Sequence, residues 1–600
     1  MGLTFVEKIL GAKAGTIVFK KPDIVLTHDN TASIRKTFEK MGGTKVKDPN
    51  QLLVVLDHNS PPTNSKVATD HQNVREFVKI QGIKRFYDEG AGICHQIMAY
   101  HAEPGMIIVG SDSHTCTAGA FNALAAGIDR TEAAGIWKRG ETWFRVPETI
   151  KITLHGKLPT GVYAKDVILW IAGMIGSAGA NYMSIEFHGD GVKSLSIADR
   201  MTIANMASEL GAKNAVFPPD EVLAEYYGKT VDELNGIWAD PDAVYAKEYE
   251  INLSEMFPVV AAPHHVDNIK ALREVVGKKI NEAFIGTCTN GRLQDFREAD
   301  KILRGNKVAR DVSLIVTPAS REIYLDAIKE GIVETFVNAG GNVLTASCGP
   351  CLGTGLGIPA DGWTVISTAN RNFLGRMGNK NASIYLASPA TVAYSAMKGE
   401  IADPREFLDP DFEPKEEHYP YKQEQSDTLT IPEGELRRIN GVWNYKDVDN
   451  LNTDQMFAGN LTYQVLSSEP EKIIPHLFAG FDPNFSKNAQ EGDVIVAGDN
   501  FGCGSSREHP AVGLAYLGIK AVIVKSVNRI FFRSSINQGL PLIVHPEAVE
   551  AYQPGDKVEV DFEAGKIKIG DKEFEFAPLP DKLMEIIEKK GLVNWIKEQA

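Results

Sequence analysis

The chain has 600 residues, several times the size of a usual domain, and its 43% hydrophobic and 24% charged content excludes a disordered, collagen-like or coiled-coil protein. Lys and Arg number 63 against 78 Asp and Glu, a formal charge of −15 that argues against a nucleic-acid partner. Six cysteines are too few for a disulfide scaffold and point to a reducing compartment, the cytoplasm.

In chain order, the N-terminal MGLTFVEKILGAKAG reads as an amphipathic first helix and not as a signal peptide. Short apolar runs follow, several ending in polar residues. Leu52 to Leu56 runs into Asp57-His58, and Met106 to Val109 into Ser111-Asp112-Ser113-His114. Leu314 to Val316 runs into Thr317-Pro318, and Thr364 to Ile366 into Ser367 through Arg371. Helical stretches, Asn73 to Ile80 and Ile197 to Leu210, lie between such runs. Buried strands alternating with helices predict α/β layers with largely parallel sheets, whose ligand crevices lie just past the C-terminal strand ends. The apolar run Val167 to Ala180 is too short to span a bilayer, so no membrane partner is expected. Leu408 to Pro432 is crowded with charged residues, Gln and Pro and reads as a linker. Beyond it, apolar runs at 493–497, 519–524 and 540–544 predict a smaller, mobile α/β domain. A hairpin (Lys557 to Phe562 with Lys566 to Ile569) and a helix from about Asp581 complete it.

Cys348 and Cys351 form a Cys-x-x-Cys in TASCGPCLGTG, with Cys288 sixty positions upstream in GTCTNGR. The pair alone fits a redox couple, half a zinc site or two buried thiols. A closed zinc site needs four protein ligands, whereas three thiolates would leave a [4Fe–4S] cluster one iron short of a protein ligand. Such an iron can act as a Lewis acid on a hydroxyl. Asp57-His58, His95 in GICHQ and Asp112/His114 lie within 60 residues, and carboxylates beside imidazoles make usable general acids. The loop GDNFGCGSSREH has neither Walker nor Rossmann glycine spacing, but its amides and Arg507 can hold a carboxylate. A second arginine cluster, Asn370 to Arg376, follows a strand, so an anionic substrate with several carboxylates is expected.

Together LDHN, GICHQ, GSDSHTCTAGAF, TIANMASELGA, GTCTNGR, SCGPCLG, ANRNFLGR, NTDQ and GDNFGCGSSREH resemble, in order, the aconitase superfamily, in wording nearest its 3-isopropylmalate dehydratase and homoaconitase branch. The resemblance covers nearly the whole chain and implies three α/β domains around an iron–sulfur cluster plus a C-terminal swivelling α/β domain. The expected boundaries are 1–147, 148–265 and 266–407, with a linker at 408–432 and the swivel domain at 433–600. It implies one [4Fe–4S] cluster on Cys288, Cys348 and Cys351, with Asn205 and Asn370 beside it. It implies dehydration and rehydration of a hydroxy-di- or tricarboxylate, with no separate small subunit. Ser505 would take the proton from carbon, supported by Arg507 and the loop amides. Asp57, His58, His95, Asp112 and His114 would manage protons on the leaving hydroxyl, within a hydrogen-bond network that Glu209 joins. His28, Ser113, Arg371, Arg376, Ser506 and Arg507 would bind substrate. Cys503 is not expected to ligate.

The loop after NTDQ, Met456 to Tyr463, carries no arginine through Ser468, where aconitase and homoaconitase place a carboxylate-binding one. An apolar wall of Met456, Phe457 and Leu461 with a neutral Asn460 would favour an alkyl-substituted malate. The alternatives are that Met456 and Phe457 are domain core, and that the activity is that of an aconitate hydratase or homoaconitase. A cluster-sensing RNA-binding regulator and a structural zinc protein are the readings of a different class.

Overall fold

The computed structural model describes residues 2–421, 430–462 and 464–599, and all statements of absence refer to these. Residues 422–429 of the expected linker and Tyr463 of the substrate loop lie outside them, as does the side chain of Asn460. The first helix, Phe5–Leu10, is short because a Thr4/Glu7 capping box starts it and left-handed Gly11 ends it.

The first sheet is parallel and runs Arg85–Tyr87, Leu52–Val55, Ile24–Thr27, Ile107–Gly110, Leu124–Gly127. Its order reverses between Ile24–Thr27 and Ile107–Gly110, so a crevice opens at their C-terminal ends. His28 follows the first of these strands, and Asp112, Ser113 and His114 follow the second. A second parallel sheet joins Asn214–Val216, Ser184–His188, Thr149–His155 and Lys247–Asn252. Helix Ala164–Ile175, which holds most of the long apolar run, is buried beside it.

The third sheet runs Ile269–Ala271, Val259–Ala261, Ser383–Leu386, Thr364–Ser367, Glu282–Gly286, Ser313–Thr317, Asn342–Val343. Its order also reverses, between Thr364–Ser367 and Glu282–Gly286, which places Asn370 and Cys288 at a second crevice. Strand Val259–Ala261, assigned from sequence to the second unit, pairs antiparallel with Ile269–Ala271 and with Ser383–Leu386. The sheet therefore starts before residue 265, a boundary that no composition change marks.

The C-terminal sheet is parallel from Val442–Tyr445 through Val494–Ala497 and Ala521–Val524 to Leu542–Val544. The expected hairpin forms between Val558–Asp561 and Lys566–Ile569, with Lys572–Glu575 as a third strand. Helix Asp581–Glu588 starts where expected, and Leu592–Glu598 follows it.

The linker reading needs correction up to Tyr421. Arg405 forks onto Asp403 and Glu417 at 2.7 Å and stacks on Phe412, and Tyr419 donates to the Trp170 carbonyl at 2.5 Å. Buried aromatic and bidentate contacts pin this segment to the body, although its composition is that of a solvated tether. At the other end, Ile431 is buried in the core of the C-terminal domain.

Candidate active site

One pocket gathers residues from both crevices and from the C-terminal domain: His28, His58, His95, Asp112, His114, Cys288, Cys348, Cys351, Asn370, Arg371, Arg376, Ser505, Ser506 and Arg507. Asp57, Ser113, Asn205 and Glu209 stand one contact behind it.

Asp57 is fully buried. Its Oδ1 lies 2.6 Å from His58 Nδ1, and its Oδ2 accepts the Cys94 amide at 2.7 Å. The His58 ring stacks on His28 with centroids 3.9 Å apart. Burial, then the neighbouring His58, lower the His28 pKa to about 4, so that ring is neutral at ordinary pH. Asp112 touches three imidazoles: His95 Nε2 at 2.8 Å, His114 Nδ1 at 3.4 Å and His58 Nε2 at 3.6 Å. Burial opposes its ionisation, but these rings hold its pKa well below the carboxylate range. Glu209 accepts from His114 Nε2 at 2.7 Å and from Arg371 Nε at 2.9 Å; against burial, Arg371 and His114 keep its pKa at about 2. Arg371 also reaches Ser113 Oγ at 2.9 Å and the Gly504 carbonyl at 3.1 Å.

On the opposite wall, Arg507 Nε donates to Ser505 Oγ at 2.7 Å, and Thr453 Oγ1 lies 3.4 Å from the same oxygen. Arg507 is anchored by the Phe457 carbonyl at 2.6 Å and Asp454 at 2.9 Å. Ser506 donates across the domain boundary to the Ser111 carbonyl at 3.4 Å.

The three cysteines are buried and unbridged, and burial raises Cys288 and pushes Cys348 up to about 12. Both thiols therefore stay protonated until a metal displaces the proton. Asn205 Nδ2 lies 3.2 Å from Cys288 Sγ, Asn370 Nδ2 lies 3.6 Å from it, and Arg376 Nη2 lies 3.8 Å from Cys351 Sγ. A closed zinc site needs four protein ligands, whereas three buried thiols with asparagine and arginine nitrogens beside the sulfurs suit a cluster that leaves one iron without a protein ligand. Cys503, half-buried, donates to the Asn450 carbonyl at 3.4 Å and lines a different cavity from the trio.

Four buried polar atoms of the pocket have no protein partner: His28 Nδ1, His95 Nδ1, Arg376 Nε and Thr462 Oγ1. These atoms are free to be completed by a bound ligand or by water.

The apolar-wall expectation fails. Met456 and Phe457 are fully buried in the C-terminal core, with Phe457 stacked on His509 at 4.7 Å, and Leu461 does not line the pocket. An apolar residue beside a motif serves a core as readily as a pocket. The loop contributes Gly459 and Thr462 instead, and the apolar lining comes from Ile93 and Leu352.

Sequence reasoning also missed Arg130, which lines the pocket, and Asp29. Asp29 accepts the amides of Asp57, His58 and Asn59 at 3.0, 2.8 and 3.1 Å and His71 Nε2 at 2.8 Å, so it holds the catalytic-candidate turn in shape. Its position right after a strand, next to His28, was the available signal.

Residues 5–279 and 268–399 match the aconitase family (aconitate hydratase), and residues 420–547 match the aconitase C-terminal domain. The 3-isopropylmalate dehydratase large subunit 1 of Methanopyrus kandleri is 46% identical over 418 residues, 68% of this chain and 100% of that protein. The probable methanogen homoaconitase large subunit of Methanosarcina mazei is 45% identical over 389 residues, 64% of this chain and 99% of its own. The mitochondrial homoaconitase of Candida albicans is 35% identical over 641 residues, 98% of this chain and 93% of its own. Both parts that this family distributes between large and small subunits are thus present in one polypeptide, and the chain belongs to the aconitase family of hydro-lyases.

Proposed function

We propose that the chain holds one [4Fe–4S] cluster on Cys288, Cys348 and Cys351 and interconverts hydroxydicarboxylate isomers by removing and restoring water, as a 3-isopropylmalate dehydratase does. The observation that carries this reading is the meeting, in one pocket, of Ser505 with three buried thiols and the His–Asp pairs. When bound, the cluster supplies a Lewis acid for the departing hydroxyl.

The protein's own residues divide the rest. Ser505 takes the proton from carbon; its alkoxide is stabilised by the Arg507 guanidinium, which already donates to Oγ at 2.7 Å. His58, oriented by Asp57, and His95, held by Asp112, hand a proton to the leaving hydroxyl. Glu209 is ionised and accepts hydrogen bonds; with His114 it keeps Arg371 aimed at the pocket. Arg376 forms no ion pair among the described residues, so its charge is available to a substrate carboxylate, with Arg371, Ser113, Ser506 and His28 orienting the remainder. Asn205 and Asn370 donate to cysteine sulfur.

An alkyl arm lying against Ile93 and Leu352 gains about 0.8 kcal/mol per buried CH₂. A second reading, a tricarboxylate as in homoaconitases, is favoured by Arg130 in the pocket and by the end-to-end match to fungal homoaconitases. Either way the chain works without a separate small subunit. Its six reduced cysteines suit the cytoplasm, and no helix of the described residues is long and apolar enough to cross a membrane.

Anaerobically reconstituted protein should generate enoate ultraviolet absorbance from a panel of hydroxycarboxylates, with the highest kcat/KM for 2-isopropylmalate. Preference for citrate or homocitrate would replace the first reading by the second. No enoate from any of them, with four irons bound, would overturn the reaction itself.

A further inference from the structure

Helix Ala164–Ile175 carries a lysine at its second position, Lys165, whose side chain has no exposure to solvent. Its Nζ donates to the carbonyl of Thr368 at 2.7 Å and to that of Ala369 at 2.6 Å. These two residues lead directly into Asn370, which contacts Cys288 Sγ at 3.6 Å through Nδ2 and Cys351 Sγ at 3.8 Å through Oδ1. Lys165 is therefore tied to the strand end that carries an asparagine bridging two of the three sulfurs.

An ammonium taken out of water is retained only where opposite charge compensates it. The hydrogen bonds that Lys165 donates go to neutral carbonyls, and among the described residues it forms no ion pair with a carboxylate. The nearby acids serve other groups. Asp166 accepts the backbone amides of Tyr163 and Val259, and burial pushes its pKa up to about 7, toward the neutral acid. Asp295 accepts the Arg292 amide and the Asn290 side chain. Burial lowers the Lys165 pKa to about 7, and the charges that draw it back up are Asp295, Cys288, Cys351 and Asp166. Three thiolates around a dipositive core leave a loaded cluster site anionic, which is the compensation this ammonium lacks in the protein alone.

We propose that Lys165 is a positioning residue, a buried counter-cation of the cluster site, whose charge helps retain the cluster and raises its reduction potential. This rests on the cluster reading above, and the two can fail separately. The test uses full-length protein reconstituted without oxygen, as wild type, Lys165→Met and Lys165→Arg, each assayed first for iron and sulfide. Wild type that binds no four-iron cluster overturns the cluster reading and this proposal with it.

With wild type loaded, the midpoint of one-electron cluster reduction, followed by electron paramagnetic resonance, should shift to a more negative value in Lys165→Met. In Lys165→Arg it should stay near the wild type. Equal midpoints in all three proteins, or equal shifts in both variants, would make Lys165 a structural strut and overturn the proposal. Should Lys165→Met not load, melting of the cluster-free proteins decides. A Tm at or above wild type supports a charge that only the cluster compensates; a lower Tm, or failure to fold, overturns it.

Discussion

Far from the site, the C-terminal domain is joined to the body by hydrocarbon: Leu583, Ile586, Leu592, Trp595 and Ile596 share one core with Phe5, Trp137 and Trp143. At the site, the same domain touches the body through isolated polar contacts, Ser506 to Ser111 and Arg371 to Gly504. Between these edges, helix Arg529–Gln538 sends Arg529 to Ser208 and Ser113, Arg533 to Glu132, and Asn537 to Asp129. A buried aliphatic side chain contributes roughly 1.5–3 kcal/mol, a neutral hydrogen bond roughly 0.5–1.5. The apolar edge and the buried ion pair of this helix therefore supply the adhesion, while the isolated polar contacts at the site set where Ser505 stands and part at lower cost.

Arg533→Met tests the contrast most severely. Arg533 and Glu132 are each about 1% exposed, and the guanidinium also stacks on Trp143 at 3.6 Å. Leaving Glu132 buried without its partner should cost about 3–5 kcal/mol, measured by denaturant unfolding. No loss would mean that the apolar edge alone carries the interface. Leu592→Ala attacks that edge: its side chain packs about Gly135, and the loss should be about 2–4 kcal/mol with kcat preserved at ambient temperature. A matching fall in kcat would show that the two edges are not independent.

Arg376→Ala removes the pocket arginine that has no acidic partner, so KM should rise by roughly 10- to 100-fold, with stability little changed. The smallest effect concerns pH. Asp129 caps helix Arg130–Arg139 and accepts from Asn537 at 2.7 Å; burial, then Glu508 and Glu132, raise its pKa. The folded protein keeps a proton that the unfolded chain has released, so this contribution is full below the ordinary aspartate pKa. It is lost as pH rises through the raised value. Asp129→Asn should flatten that decline, read as Tm against pH; an unchanged slope would place the titrating group elsewhere.

Much of this was legible in the sequence because the site lies at strand ends. His58, Asp112, Asn370 and Ser505 all follow apolar runs within short motifs, and the sheet orders turn those runs into two facing crevices. What could not be read were pairings without a local signal. Arg533 lies 401 positions from Glu132, and Asp29 lies 42 from His71. Hydrophobicity could not separate wall from core either, which is why Met456 and Phe457 were misplaced. The linker reading needs correction as far as Tyr421 for a related reason: Glu417 and Tyr419 look solvated until their partners are seen.

The central claim is that Ser505, carried by the C-terminal domain, completes a reaction site whose cysteine and acid groups lie on the body. It is tested most directly by comparing enoate formation in wild type and Ser505→Ala, each reconstituted anaerobically and matched for iron content. The account predicts unchanged cluster and KM, with kcat lower by roughly 10²–10⁴. Near-wild-type turnover in Ser505→Ala with its cluster intact would contradict it.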